Sequence, residues 1–256
     1  MKKLISGSLL AGILMLFNSC LGGENSSSSQ DQRYGVVEMN LKAGGNVIYY
    51  NDQDYPFYSP TLSSKILDGE CCWIAYMIKS EDNQNVATLG YYTIQEENYV
   101  VVDKGMVRPA KTDTAVVKEN ELPMSELVPT NYVKGYLFVN SMHEAMGTTQ
   151  KNEYELSYDM EQEPLLENTL NNGTQNVYQL YLRATKLEDG KSPTLTQIVP
   201  NTYNVKRFFD SISYTEKGKG KTEYYFKINY IRSFADDSVA NWTSTEALAI
   251  IIPTSE

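Results

Sequence analysis

From Tyr34 onward the apolar residues of this chain recur at every second position. Successive side chains of a strand point to opposite faces, so such a chain is built for half-buried β-sheet rather than for helices. Val37, Met39 and Leu41 alternate with Val36, Glu38 and Asn40, and Gly44-Gly45-Asn46 then turns the chain into Val47-Ile48-Tyr49-Tyr50, the pattern of a hairpin. After an irregular stretch holding Pro56 and Pro60, Asp68-Gly69 introduces Cys71 to Ile78, a nearly continuous apolar run suited to a strand buried on both faces. Val86 to Ile94 and Tyr99 to Val102 follow as further strands. Short strands in such number predict a small barrel, which removes exposed sheet edges by closing.

Lys104 to Pro129 is different in kind: charged, broken by Pro109, Pro123 and Pro129, with Ala115-Val116-Val117 as a short apolar patch. It is the expected boundary between a barrel unit over 34–118 and a second, independently folding unit over 128–256. Alternation resumes in Tyr132 to Val139, in Tyr154, Leu156, Tyr158 and Met160, in Tyr178, Leu180, Leu182 and Ala184, and in Tyr224, Phe226, Ile228 and Tyr230. Leu248 to Ile252 closes the chain as an apolar strand, and the whole reads as a β-sandwich. No apolar stripe at helical spacing runs longer than two turns, so helix should be minor. The 20 tyrosines, against 7 Phe and 2 Trp, suit pleated, half-exposed surfaces.

The first residues carry an address. Lys2 and Lys3 precede an uncharged run from Leu4 to Phe17, whose 14 residues are too few to span a bilayer core, which takes about 20 in a helix. Residues 1–19 therefore read as a signal peptide, Ser19-Cys20 as its processing site, and 20–33, rich in serine, as a flexible tether. Loss of Lys2 and Lys3 takes the formal charge from −10 to −12, which excludes nucleic acid as a partner, because phosphate binding depends on clustered Lys and Arg. Besides Cys20 only the adjacent Cys71 and Cys72 remain. Neighbours in a strand face opposite ways, so two buried thiols are expected rather than a bridge.

Catalytic parts are scarce. His143, the one histidine, lies in Ser141-Met142-His143-Glu144 and is expected in a solvated loop; no triad or imidazole metal cluster can be assembled around it. Gly220-Lys221-Thr222 ends like a phosphate loop, but Thr215 stands where the first glycine belongs, and Lys217 to Lys221 reads as an exposed hairpin tip. Asp52-Gln53-Asp54 opens like a calcium loop that Pro56 then breaks. Glu96-Glu97, Asp236-Asp237 and Glu161 with Glu163 are acidic pairs of the kind glycoside hydrolysis uses, and read better as charged turns. No catalytic residue, metal site or cofactor is assigned. Tyr49-Tyr50, Tyr91-Tyr92 and Tyr224-Tyr225 each put one ring on either strand face, as sheet packing or as a platform for a glycan or protein.

Tyr34-Gly35-Val36-Val37, Asp68-Gly69-Glu70 before Trp73-Ile74-Ala75-Tyr76, and Tyr178-Gln179-Leu180-Tyr181-Leu182-Arg183 leading into Asp189-Gly190-Lys191 resemble the NigD-like lipoproteins of Bacteroidetes. The resemblance implies an all-β chain: a small OB-like barrel, then an Ig-like β-sandwich, both scaffolds without an established activity. With the signal it also implies lipidation of Cys20 and an outer-membrane anchor. It makes relevant a triplet used in that phylum for O-glycosylation, acidic then hydroxyl then apolar, which occurs at Thr114, Ser211 and Ser238. The expected function is a non-enzymatic cell-envelope lipoprotein, a binding or interaction module. Bacteriocin immunity and a fimbrial or other assembly subunit are the alternatives.

Overall fold

The computed structural model describes residues 28–169, 173–235 and 239–252. Strands β1 (Ser28–Asn40), β2 (Gly45–Tyr49), β3 (Phe57–Tyr58), β4 (Cys71–Lys79) and β5 (Tyr92–Val101) close into a barrel in the order β1-β2-β3-β5-β4, with a short helix α1 (Val86–Leu89) before β5. Its interior holds Val37, Ile48, Phe57, Cys72, Ile74, Tyr76 and Ile94. β1 serves both neighbours, pairing β2 through Val36–Asn40 and β4 through Ser28–Val36. Gly35 sits at that switch, where a Cβ would lie 2.5 Å from Ile48 Cγ2 and 2.7 Å from the Tyr49 carbonyl. Only glycine lets the two backbones approach so closely.

The chain then enters the second unit at once. β6 (Asp103–Lys104) pairs β14 (Lys191–Asn204), β7 (Met106–Arg108) pairs β11 (Lys151–Ser157), and β8 (Glu121–Leu122) pairs β13 (Gly173–Glu188). The stretch from Lys104 to Pro129, where charge and proline suggest a boundary, is thus woven into the sheets of this unit. Met124 is fully buried, and the buried Arg183–Glu121 ion pair, 2.8 Å, holds the loop down. Arg183 also donates to the Asp113 and Val116 carbonyls, and its guanidinium lies 5.0 Å from the Trp242 ring. Charge here is structural because it is paired and hydrogen-bonded inside.

One sheet of the second unit has the order β6-β14-β10-β9, with β9 (Glu126–Val133) at its edge and β10 (Tyr136–Thr148) inside. The other runs β16-β15-β13-β11-β7, through β15 (Glu223–Ala235) and β16 (Val239–Ser244), with β12 (Leu165–Thr169) against β13 and β17 (Leu248–Ile251) against β15. Between them lies one core, including Leu137, Val139, Tyr203, Leu156, Leu180, Leu182, Phe226 and Ile228. The pairs β13·β15, β11·β7 and β14·β6 are parallel. An immunoglobulin-like sandwich is antiparallel, so this unit is a mixed-sheet variant of the layered plan.

Two local expectations are corrected. The run Tyr132 to Val139 is two strands: Lys134 and Gly135 both have positive φ, 52° and 86°, the two-residue turn that matches strand twist. Residues Lys206–Gly218 form a helix, α2, not strand and turn. Phe208, Phe209, Ile212 and Glu216 share its buried face, a stripe with only three apolar members. The lysine-rich stretch after it is accordingly a helix end, with Lys219 held 2.8 Å from Glu216, and not a hairpin tip.

The two units are docked face to face. Val36, Cys71 and Val102 from the barrel side meet Val133 and Phe138, with Tyr34, Tyr49, Trp73 and Tyr136 packed around them. Cys71 and Cys72 are both buried free thiols, one in this interface and the other in the barrel. Burial pushes the Cys72 thiol up to about 12.

Candidate functional site

An opening lies between the edge strands β9 and β17. A cleft of about 770 Å³ is walled by Pro129 to Tyr132, by Leu248 to Ile251, by one side of α2 and by the barrel loop Asn51-Asp52-Gln53. A second of about 700 Å³ is walled by Ser125 to Pro129, Thr245, Glu246, Tyr230 and Arg232. They adjoin at Pro129 and Leu248, which line both, and the two clefts together make the groove beside β9. Low numbers of both strands meet at one end and high numbers at the other, so β9 and β17 run in the same direction along it. Each has a strand partner on one side only.

The lining is apolar: the half-buried Tyr132, Leu248 and Ile250, with the buried Leu137, Phe209, Phe226, Tyr224 and Tyr230 packed among them. Burial raises all three phenols, and the carboxylates of Asp210 and Asp52 raise Tyr132 further, so they remain protonated. Tyr224 donates to the Phe209 carbonyl at 3.3 Å and accepts from Ser213 at 3.5 Å, which fixes its ring as wall. At the barrel end Lys134, presented by its turn, places Nζ 3.2 Å from Glu38 and 3.8 Å over the Tyr49 ring. Its backbone N–H donates to Asp52 Oδ1 at 3.0 Å.

No histidine or cysteine lines the groove. His143 is not a loop residue: it lies in β10 and is buried. Its Nδ1–H donates to the Pro123 carbonyl at 3.0 Å and Nε2 accepts from Tyr154 at 2.9 Å. Burial lowers its pKa, so it is a neutral core residue. Asp52 and Asp54 diverge: the first takes the Lys134 amide, and the second takes the Tyr50 and Tyr92 hydroxyls. Glu96 takes the hydroxyls of Ser59 and Thr61, and Glu97 takes Gln30 Nε2 at 2.7 Å. Among the described residues no group of three potential ligands converges on a metal position. Tyr50 stacks on Phe57 at 4.3 Å and Tyr91 lies against Tyr58, while Tyr224 and Tyr225 are both buried and offer no platform.

Thr114 is exposed in the loop pinned by Arg183, and Trp242 Nε1 donates to its carbonyl at 3.1 Å. Ser211 is exposed in the middle of α2, where its carbonyl accepts from Thr215 at 3.0 Å. Cys20, Ser238, Asp236 and Asp237 lie outside the described residues. The groove itself escapes a linear reading, since its rim comes from residues 120 positions apart, such as Glu126 and Glu246. Only the Lys134-Gly135 dipeptide inside an apolar run signalled the turn at its end.

This architecture, a five-stranded barrel docked on a two-sheet unit, defines a class of two-unit all-β proteins. Residues 25–100, which take in nearly all of the barrel, match the family model described as a lipoprotein OB domain. Solved structures share the whole arrangement. An uncharacterized protein from Parabacteroides merdae superposes with a TM-score of 0.76 at 24% identity, covering 87% of this chain and 99% of that one. A candidate lipoprotein from Bacteroides fragilis gives 0.53 at 13% identity, over 88% and 100% of the two chains. A NigD-like immunity protein from Bacteroides caccae gives 0.50 at 10%, over 87% and 98%. At such identities the shared property is the fold. No curated protein sequence matches the chain. Among the described residues no helix is long and apolar enough to cross a membrane.

Proposed function

We propose that this protein is a non-enzymatic binding module of the cell envelope, tethered to the outer membrane through Cys20, and that its ligand lies in the groove between β9 and β17. The observation that carries the reading is the groove: an apolar lining, partly accessible at Tyr132, Leu248 and Ile250, with a polar rim, open between two sheet edges. The barrel supports it as a docking body. OB folds usually take oligonucleotides and oligosaccharides on the outer face around strands 2 and 3. Here the adjoining outer face, Tyr34 and Val36 of β1 with Tyr49 of β2, is packed against Phe138 and Tyr136. The net charge of −10 speaks against nucleic acid as well. The lipoprotein type of the OB domain and the Ser19-Cys20 site support the anchor.

Two measurements test the reading. Cys20→Ser should move the protein from the membrane pellet to the soluble fraction, and continued pelleting through an alkaline wash contradicts the anchor. A photoreactive phenylalanine analogue at Ala249, in the groove, should give a discrete adduct in native envelopes, and the same analogue at Glu81, on the barrel, should not. No adduct at Ala249, or equal adducts at both, contradicts the groove as ligand seat.

A further inference from the structure

We infer that the groove takes an extended cationic peptide segment with alternating basic and apolar side chains; this rests on the reading of the groove as the ligand seat. Seven residues of β9, Glu126 to Tyr132, line the groove, and at about 3.4 Å per residue that is roughly 24 Å of extended chain. Among the described residues β9 and β17 each have a strand on one side only, and although Pro129 carries no N–H and the Leu127 backbone bonds Tyr230, a guest in extended conformation finds the remaining backbone donors and acceptors beside it, as in strand addition. A rod of helix does not use open sheet edges, and a sugar chain has no amide ladder to offer them.

Charge selects the side chains. Of the basic residues on the rim, Lys134 is taken by Glu38 and Lys206 by Asp210, at 3.2 and 2.7 Å. That leaves Asp52, Glu126, Glu144 and Glu246, all exposed, against Arg232. Three of these four carboxylates stand at the β16–β17 end, where Glu126 lies close enough to Tyr230 to raise its phenol. In a cleft with apolar walls such an excess focuses its field on an incoming cation. An extended guest points successive side chains opposite ways, so one row can meet Tyr132, Leu248 and Ile250 while the other meets the acidic rim. A second copy of this chain fits poorly, because it carries the same net −10.

The test uses the full mature protein and fluorescent octapeptides: alternating Lys-Leu, Ser-Leu and Glu-Leu, titrated by anisotropy. The Lys-Leu peptide should bind, more weakly as salt rises, and the Glu-Leu peptide should bind at least about tenfold more weakly. Replacing the exposed Glu126, Glu144 and Glu246 by Gln should weaken Lys-Leu binding by at least about tenfold. The matched variant Glu81→Gln, Asp82→Asn, Glu119→Gln, away from the groove, should change it less than about twofold. Equal loss in both variants makes the effect one of overall charge and overturns the inference, as does Ser-Leu binding as tightly as Lys-Leu. Failure of every peptide while Ala249 still gives its adduct overturns the ligand class and leaves the groove reading standing. Loss of both removes the groove reading itself.

Discussion

The Tyr34 hydroxyl donates to Asn140 Oδ1 at 2.8 Å, joining the first strand of the barrel to an inner strand of the second unit. Around this bond Asn131 Nδ2 reaches the Tyr34 and Tyr50 carbonyls at 3.2 and 2.7 Å, and Phe138 fills the space between Val36 and Cys71. An apolar, hydrogen-bonded interface couples two cores, so they should unfold together rather than as independent units.

The mature protein is therefore expected to show one denaturant transition, by far-ultraviolet dichroism and by tryptophan fluorescence alike. Phe138→Ala, which empties the fully buried centre of the interface, should lower stability by about 3–5 kcal/mol. Two separate transitions in the unmodified protein would show that the interface does not couple the cores.

Arg183 and Glu121 present side chains 3% and 0% exposed. Arg183→Met strands a carboxylate inside the sheet and should cost about 3–5 kcal/mol, while the double variant Arg183→Met, Glu121→Leu should recover much of that loss. The loop at Asp113 to Val116, which the guanidinium holds, should also become the first site of limited proteolysis in the single variant. Equal stability of the single and double variants would argue that the pair is not what holds this loop.

How much of this was legible in the chain depends on the range of the signal. Tyr178, Leu180, Leu182 and Ala184, or Tyr224, Phe226 and Ile228, declare their strands locally, and all are buried as alternation requires. In the barrel, β1, β2 and β4 follow from such runs, whereas β3 lies in the stretch read as irregular, Val86 to Leu89, expected as strand, is helix α1, and β5 joins the two runs expected as separate strands. Parallel pairing of β13 with β15 does not follow from such runs, because residues 48 apart decide it. Helix α2 was hidden by Glu216, a buried carboxylate that takes the Tyr178 hydroxyl at 2.8 Å and so occupies an apolar place in the stripe. The segment Lys104 to Pro129 looked like a linker because its charge was read as solvated, whereas Glu121 finds its partner 62 residues on. Pairing partners, not composition, settle where charge goes.

Thr114 stands exposed on a loop whose backbone is pinned on both sides, which is an accessible and well-presented acceptor; Ser211 is held in helical backbone. Protein purified from its native host is expected to carry a glycan at Thr114, seen as an intact-mass excess over polypeptide plus lipid that drops in Thr114→Ala and not in Ser211→Ala. An unmodified mass disproves it.

The buried imidazole supplies a pH dependence with a definite sign. His143 donates from Nδ1 and accepts at Nε2 from a Tyr154 hydroxyl that itself takes Asn152 Nδ2 at 3.2 Å, so the network accommodates the neutral ring and has no acceptor for a second proton. Burial depresses the folded-state pKa below the ordinary 6.5, so the unfolded chain binds this proton first as pH falls. The stabilisation is complete above about 6.5 and is lost on going down through the folded-state pKa, with a slope approaching about 1.4 kcal/mol per pH unit. Glu155 and Glu216, whose ion-pairing lowers them below 4.5, lose their contributions further down, which keeps the interval between pH 6.5 and 5 for the histidine. Denaturant unfolding across that interval should show the decline, and His143→Gln should flatten it while costing stability at pH 7.5 through its poorer fit to Pro123 and Tyr154. A decline that persists unchanged in His143→Gln would assign the proton to another group.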